Sequence, residues 1–123
     1  MDLRATNGRF AAAQDFYVDS YALTEFASGL TSFPTSIEGE VRLELGVPSG
    51  DWAYYILLRA FLYDRTGHAA LGVVVDNHMK NPFGQQSSFQ ILCEVAAINR
   101  LGVELGEWAK DPTSCFVWTP KSP

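Results

Sequence analysis

The run Trp52–Tyr63, WAYYILLRAFLY, constrains this chain more than any other segment. It is apolar or aromatic at both alternating sets of positions, with one charge, Arg59. Asp64-Arg65-Thr66-Gly67 follows, and then His68–Asp76, HAALGVVVD. Two runs rich in β-branched and aromatic residues across a short polar turn predict a long β-hairpin. Gly67 suits the left-handed position that closes a type I turn with a bulge. A strand apolar on both faces predicts the middle of a sheet, and the rest of the chain must supply what covers it.

The segments around the hairpin are shorter. Leu3–Thr6 and Arg9–Val18 flank Asn7-Gly8, which predicts a first hairpin with a tight type I′ turn. A helix follows, capped by Asp19 or Ser20. Its stripe is Leu23, Phe26, Ala27, Leu30 and Phe33, and Pro34 ends it. Glu40–Leu45 alternates charged and aliphatic residues, the pattern of a half-buried strand. Gly46–Asp51 and Asn77–Ser87 read as loops, the second long enough to be mobile. Ser88–Cys93 reads as a strand. Glu94–Lys110 carries Val95, Ile98, Leu101, Leu105 and Trp108 on one helical stripe. Gly102 and Gly106, one turn apart, predict close packing of this helix on the sheet.

The order is β-β-α-β-β-β-β-α, which argues an α+β fold. The expectation is a two-layer, mostly antiparallel sheet of five to six strands with both helices on one face. Residues 1–112 form a single domain, and 113–123 form a tail able to dock as an edge strand through Cys115, Phe116, Val117 and Trp118. At 123 residues the chain suffices for one ordinary core.

Function classes narrow by exclusion. Nine basic residues against fourteen acidic ones give a net charge of −5. The basic residues form no run, so nucleic acid, which demands clustered Lys and Arg, is not an expected partner. No segment approaches the roughly 20 apolar residues of a membrane span. MDLRATNG has no charged-then-apolar leader pattern, so the expected location is the cytoplasm. Cys93 and Cys115 form no CxxC pair; Cys93 reads as a buried thiol, and a bridge between the two stays open.

No catalytic residue, cofactor or metal is expected. His68 and His78 stand near opposite ends of one strand and lie in no HExxH or Cys-rich pattern. There is no G-x-S-x-G elbow and no nucleophile beside a base. Glu38/Glu40 and Glu104/Glu107 read as solvated carboxylates, and Gly46 to Gly50 leads into a strand, where a phosphate loop would open a helix.

What remains is a surface. Arg59 should turn its face of the long strand away from the core, because an isolated buried charge is costly. Glu40, Arg42 and Glu44 should share that side. Two helices cover one face of such a sheet, which leaves Tyr55, Leu57, Arg59, Phe61 and Tyr63 as an aromatic patch around an arginine. These residue types are enriched at interface hot spots.

Phe16-Tyr17-Val18-Asp19 before a helix, Tyr63-Asp64 with Gly67-His68 at a turn, and Ala96-Ala97-Ile98 opening the last helix are similar to a family of small bacterial domains of unknown function. That family brings no activity. In general style the chain also resembles immunity proteins that neutralise secreted toxins, an analogy of fold alone. The expected function is a non-catalytic interaction domain, of which an antitoxin-like role is one form, binding a protein partner or a second copy through the aromatic face. The alternative is a small-ligand protein or enzyme with a cleft between sheet and helices, bounded by Asn77–Ser87.

Overall fold

In the computed structural model, residues 1–48, 53–112 and 115–120 are described. Trp52, the first residue of the long apolar run, lies outside them, as do residues 49–51 of the expected loop and residues 113–114 and 121–123 of the expected tail. The elements are β1 (Asp2–Thr6), β2 (Ala11–Asp15), α1 (Ser20–Ser32), β3 (Val41–Leu45), β4 (Tyr55–Leu62), β5 (His68–Asp76), β6 (Gln86–Glu94) and α2 (Val95–Lys110). The fold is α+β, in the expected element order.

The six strands divide into two antiparallel sheets. β3-β4-β5-β6 make a four-stranded meander, and β1-β2 pair only with each other. The first hairpin therefore does not widen the main sheet. It lies on it: Leu3, Ala5 and Ala12 pack against Val73, Val75 and Phe89. Its strands are too poor in large side chains to stand alone, and this docking supplies the apolar contact that a lone hairpin lacks. Its turn spans four residues, Asn7 to Phe10. Gly8 takes a positive φ of 92°, while the Asn7 side chain accepts from the N–H of Arg9 (3.0 Å) and Phe10 (2.9 Å). β2 stops at Asp15, so Phe16, Tyr17 and Val18 continue as a connector and not as a strand.

α1 starts at its N-cap Asp19, whose Oδ1 accepts from Ala22 N–H at 2.7 Å. Its end is finished by α2: the Asn99 side-chain amide donates to the carbonyls of Leu30, Thr31 and Phe33 at 3.0, 3.3 and 2.7 Å. Leu30 and Thr31 lie in the last turn of α1, whose carbonyls have no i+4 partner within the helix, and Leu30 also accepts from the Phe33 N–H at 3.3 Å. Both helices lie on the same face of the main sheet, where Leu30, Ile98 and Cys93 are fully buried with Ala60, Ala69 and Leu71. Burying each of the larger of these side chains contributes roughly 1.5–3 kcal/mol.

Gly102 does pack closely, but against α1 and not the sheet. A Cβ there would come within 2.5 Å of Thr31 N and 2.6 Å of the Ala27 carbonyl oxygen. The spacing carries the close approach, but the expected partner, the sheet, is replaced by α1. The described part of the tail runs along α2 with no strand character: Trp118 Nε1 donates to the Ala97 carbonyl at 3.1 Å, and Phe116 meets Trp108 with ring centroids 5.9 Å apart. Cys93 and Cys115 are both free. No helix among the described residues is long and apolar enough to cross a membrane.

Candidate functional site

The register of the meander fixes what each face carries. Leu43, Leu58, Val73 and Phe89 stand in one row, and Val41, Ala60, Leu71 and Ile91 in another. These rows belong to the face under the helices and the first hairpin. The intervening rows share the opposite face: Tyr55, Asp76 and Gln86; Glu44, Leu57, Val74 and Ser88; Arg42, Arg59, Gly72 and Gln90; Phe61, Ala70 and Leu92. No helix or strand among the described residues covers this second face.

The five residues singled out from the sequence lie along that face but in different surroundings. Tyr55 is not part of an exposed patch. It is only 7% exposed, and its hydroxyl donates to Glu44 Oε2 at 2.5 Å. Burial first, and the Glu44 carboxylate second, raise its pKa above the ordinary 10.0. Leu57, Arg59 and Phe61 are half-buried. Tyr63 is 46% exposed, one residue beyond the end of β4. The sequence pattern places a side chain on a face, but it carries no information on how far long neighbours fold over it, and this is what removes Tyr55 from the expected patch.

Arg42 and Arg59 are direct cross-strand partners, an arrangement of like charges that is destabilising unless bridged. Glu40 bridges it, with oxygens 2.8 Å from Arg59 Nη1 and 3.7 Å from Arg42 Nη1. Arg42 Nη2 also lies 3.5 Å from Glu44. The Arg59 guanidinium sits 4.1 Å above the centre of the Phe61 ring, a cation–π contact. The charged stripe is thus held together from Tyr55 at one end to Phe61 at the other.

Two depressions open on this face. One, of about 290 Å³, lies over Gly72, whose missing side chain leaves room between Leu57, Val74, Arg59, Ser88 and Gln90. The other, of about 380 Å³, lies toward the β4–β5 turn among Ile37, Glu38, Arg59, Phe61, Tyr63 and Asp64. Around this second one the exposed apolar side chains gather: Ile37 at 54% and Tyr63 at 46%, with Leu92 at 51% in the row of Phe61.

The β4–β5 turn adds a pair that sequence reading missed. His68 Nδ1 lies 2.6 Å from Asp64 Oδ2, and its Nε2 is 3.7 Å from Glu94 Oε1. The imidazole stacks on Tyr63 at 5.9 Å between centroids, 17° from parallel. Asp64 Oδ1 accepts from Thr66 N–H, Thr66 hydroxyl and His68 N–H at 2.9, 2.9 and 3.2 Å. Burial works to raise the Asp64 pKa, but the hydrogen bonds from His68 and Thr66 outweigh it and hold the carboxyl at about 2. The hydrogen bond to Asp64, opposed by burial, raises His68 above its ordinary 6.5. The available signal was an Asp and a His four apart across a tight turn.

The remaining chemistry-bearing groups do not assemble. His78 adopts a left-handed φ of 52° just beyond β5, with its Nε2 3.7 Å from Asp76. The loop after it is tied together by Asn77: its side chain accepts from Met79 and Gln85 N–H and donates to the Phe83 carbonyl. Burial, and then Glu94, push the Cys93 thiol up to about 11, which removes it as a nucleophile near neutral pH. Among the described residues no three His, Cys, Asp or Glu side chains are arranged to hold a metal ion.

No protein-family model, no curated protein and no solved structure matches the chain. The likeness to small domains of unknown function therefore brings no activity, ligand or partner to it.

Proposed function

We propose that this protein is a non-catalytic interaction domain that binds another protein through the open face of its main sheet. The carrying observation is the group Ile37, Phe61 and Tyr63 around the larger depression, beside the fixed Arg59, with Leu92 exposed farther along the row of Phe61. Aromatic side chains make effective anchors because they bury much area with few rotors, and arginine adds a planar hydrogen-bonding fork. An immunity-type role, occluding a toxin, is one form of this reading, supported only by the small acidic α+β character of the chain. A cleft between sheet and helices has less in its favour, since Leu30, Ile98 and Cys93 fill that space.

The test is affinity capture from cells with three immobilised proteins: the native chain, Tyr63→Ser/Leu92→Ser, and Val103→Ser on the exposed side of α2. Partners should be retained by the first and third and lost from the second. Equal retention by all three would refute the assignment to this face. Tyr55 is unsuited to the test because its substitution would disturb a buried hydrogen bond.

A further inference from the structure

We infer that the partner of this face is a basic protein segment with apolar anchors, and not a second copy of the chain; the inference rests on the binding role just proposed. The apolar side chains Ile37, Phe61, Tyr63 and Leu92 are bordered by four carboxylates, those of Glu38, Glu40, Asp64 and Glu94. The cations nearby number four, against five carboxylates once Glu44 is counted with its partner Arg42, and they are mostly committed. Arg59 is held by Glu40 and lies on Phe61. His68 sits between Asp64 and Glu94. Arg65 is the third. A lysine or arginine entering the 380 Å³ depression would lay its stem on Ile37 and Tyr63 and its head beside Glu38, with Glu40 and Asp64, already paired with Arg59 and His68, behind it.

The same border argues against self-association. Two copies meeting through this face would bring two carboxylate rims together, in a chain whose net charge is already −5. Like charges placed opposite one another at an interface suppress that pairing. A basic segment meets the opposite situation, and long-range attraction speeds its encounter.

The experiment is a titration of the ¹⁵N-labelled protein, followed by amide shifts, with two synthetic peptides of equal length, one alternating Leu and Lys and one alternating Leu and Glu. The Leu–Lys peptide should shift the amides of Ile37, Phe61, Tyr63 and Leu92, and added salt should weaken it. Glu38→Lys should lower its affinity about fivefold or more, while Glu104→Lys on α2 should leave it within about twofold. Three results would overturn the inference. Equal shifts from the Leu–Glu peptide would keep the face as a binding site but remove its preference for a basic partner. Concentration-dependent broadening of the same four amides without peptide would replace the partner with a second copy. Silence of those amides toward both peptides would remove the binding role as well.

Discussion

The two faces of the β3–β6 sheet are made from the same strands yet held by different physics. On one, Leu43, Leu58, Val73 and Phe89 stand in a row beneath the helices and the first hairpin, and stability comes from the removal of apolar area from water. On the other, Arg42, Arg59, Gly72 and Gln90 make the corresponding row, and order comes from a chain of charge pairs. The first kind of contact is strong and non-directional. The second is weak at a solvated surface but fixes orientation. One strand can therefore serve folding with its even-numbered residues and recognition with its odd ones, because the period of a strand is two.

The largest effect should come from deleting volume on the covered face. Ile98→Ala removes a fully buried side chain and should cost about 2–5 kcal/mol, read from the denaturant midpoint. A cost under about 1 kcal/mol would mean that the covered face is not what holds the fold. Next, Gly102→Ala forces a methyl against Thr31 and Ala27 and should cost about 1–3 kcal/mol by separating α1 from α2. An unchanged midpoint would show that the helices slide apart without penalty.

Smaller effects belong to the open face. Glu40→Gln leaves Arg42 and Arg59 side by side with a weaker bridge and should cost no more than about 1 kcal/mol, diminishing with salt, since the two arginines are more than a third exposed and Glu40 is 32% exposed. A larger loss, insensitive to salt, would break the distinction between the two faces.

The smallest effect is a pH window at the β4–β5 turn. The raised pKa of His68 means its contribution is complete below 6.5 and lost as pH rises through the folded value. The lowered pKa of Asp64 means its contribution is complete above 3.8 and lost as pH falls toward about 2. Both contributions are complete together between 3.8 and 6.5. The difference in unfolding midpoint between native protein and His68→Gln should be greatest there and shrink on either side. A difference independent of pH would show that the pair is not coupled to folding.

Much of this contrast is legible in the sequence. The alternation of Glu40 to Leu45 and the lone charge at Arg59 suffice to assign every residue of β3 and β4 to a face, because a charge and an aliphatic side chain differ so strongly in their cost of burial. What stays hidden depends on packing between distant segments. Ala11, Ala12 and Ala13 carry no pattern that tells whether the first hairpin extends the sheet or lies upon it. Tyr55 looks like its neighbours until Glu44 accepts its hydroxyl. Gly102 announces a close contact but not that α1 makes it. The group of Ile37, Phe61 and Tyr63 joins a loop, a strand and a turn, which no local pattern connects.

The central claim is that the covered face holds the fold while the open face is left for a partner. It is tested most directly by titrating ¹⁵N-labelled Tyr63→Ser/Leu92→Ser with the Leu–Lys peptide. The account predicts a spectrum in which the amides of Ala69, Cys93 and Ile98 keep their native shifts while the peptide no longer moves Phe61. Loss of the native shifts at those three buried positions, or binding of the peptide with unchanged affinity, would contradict it.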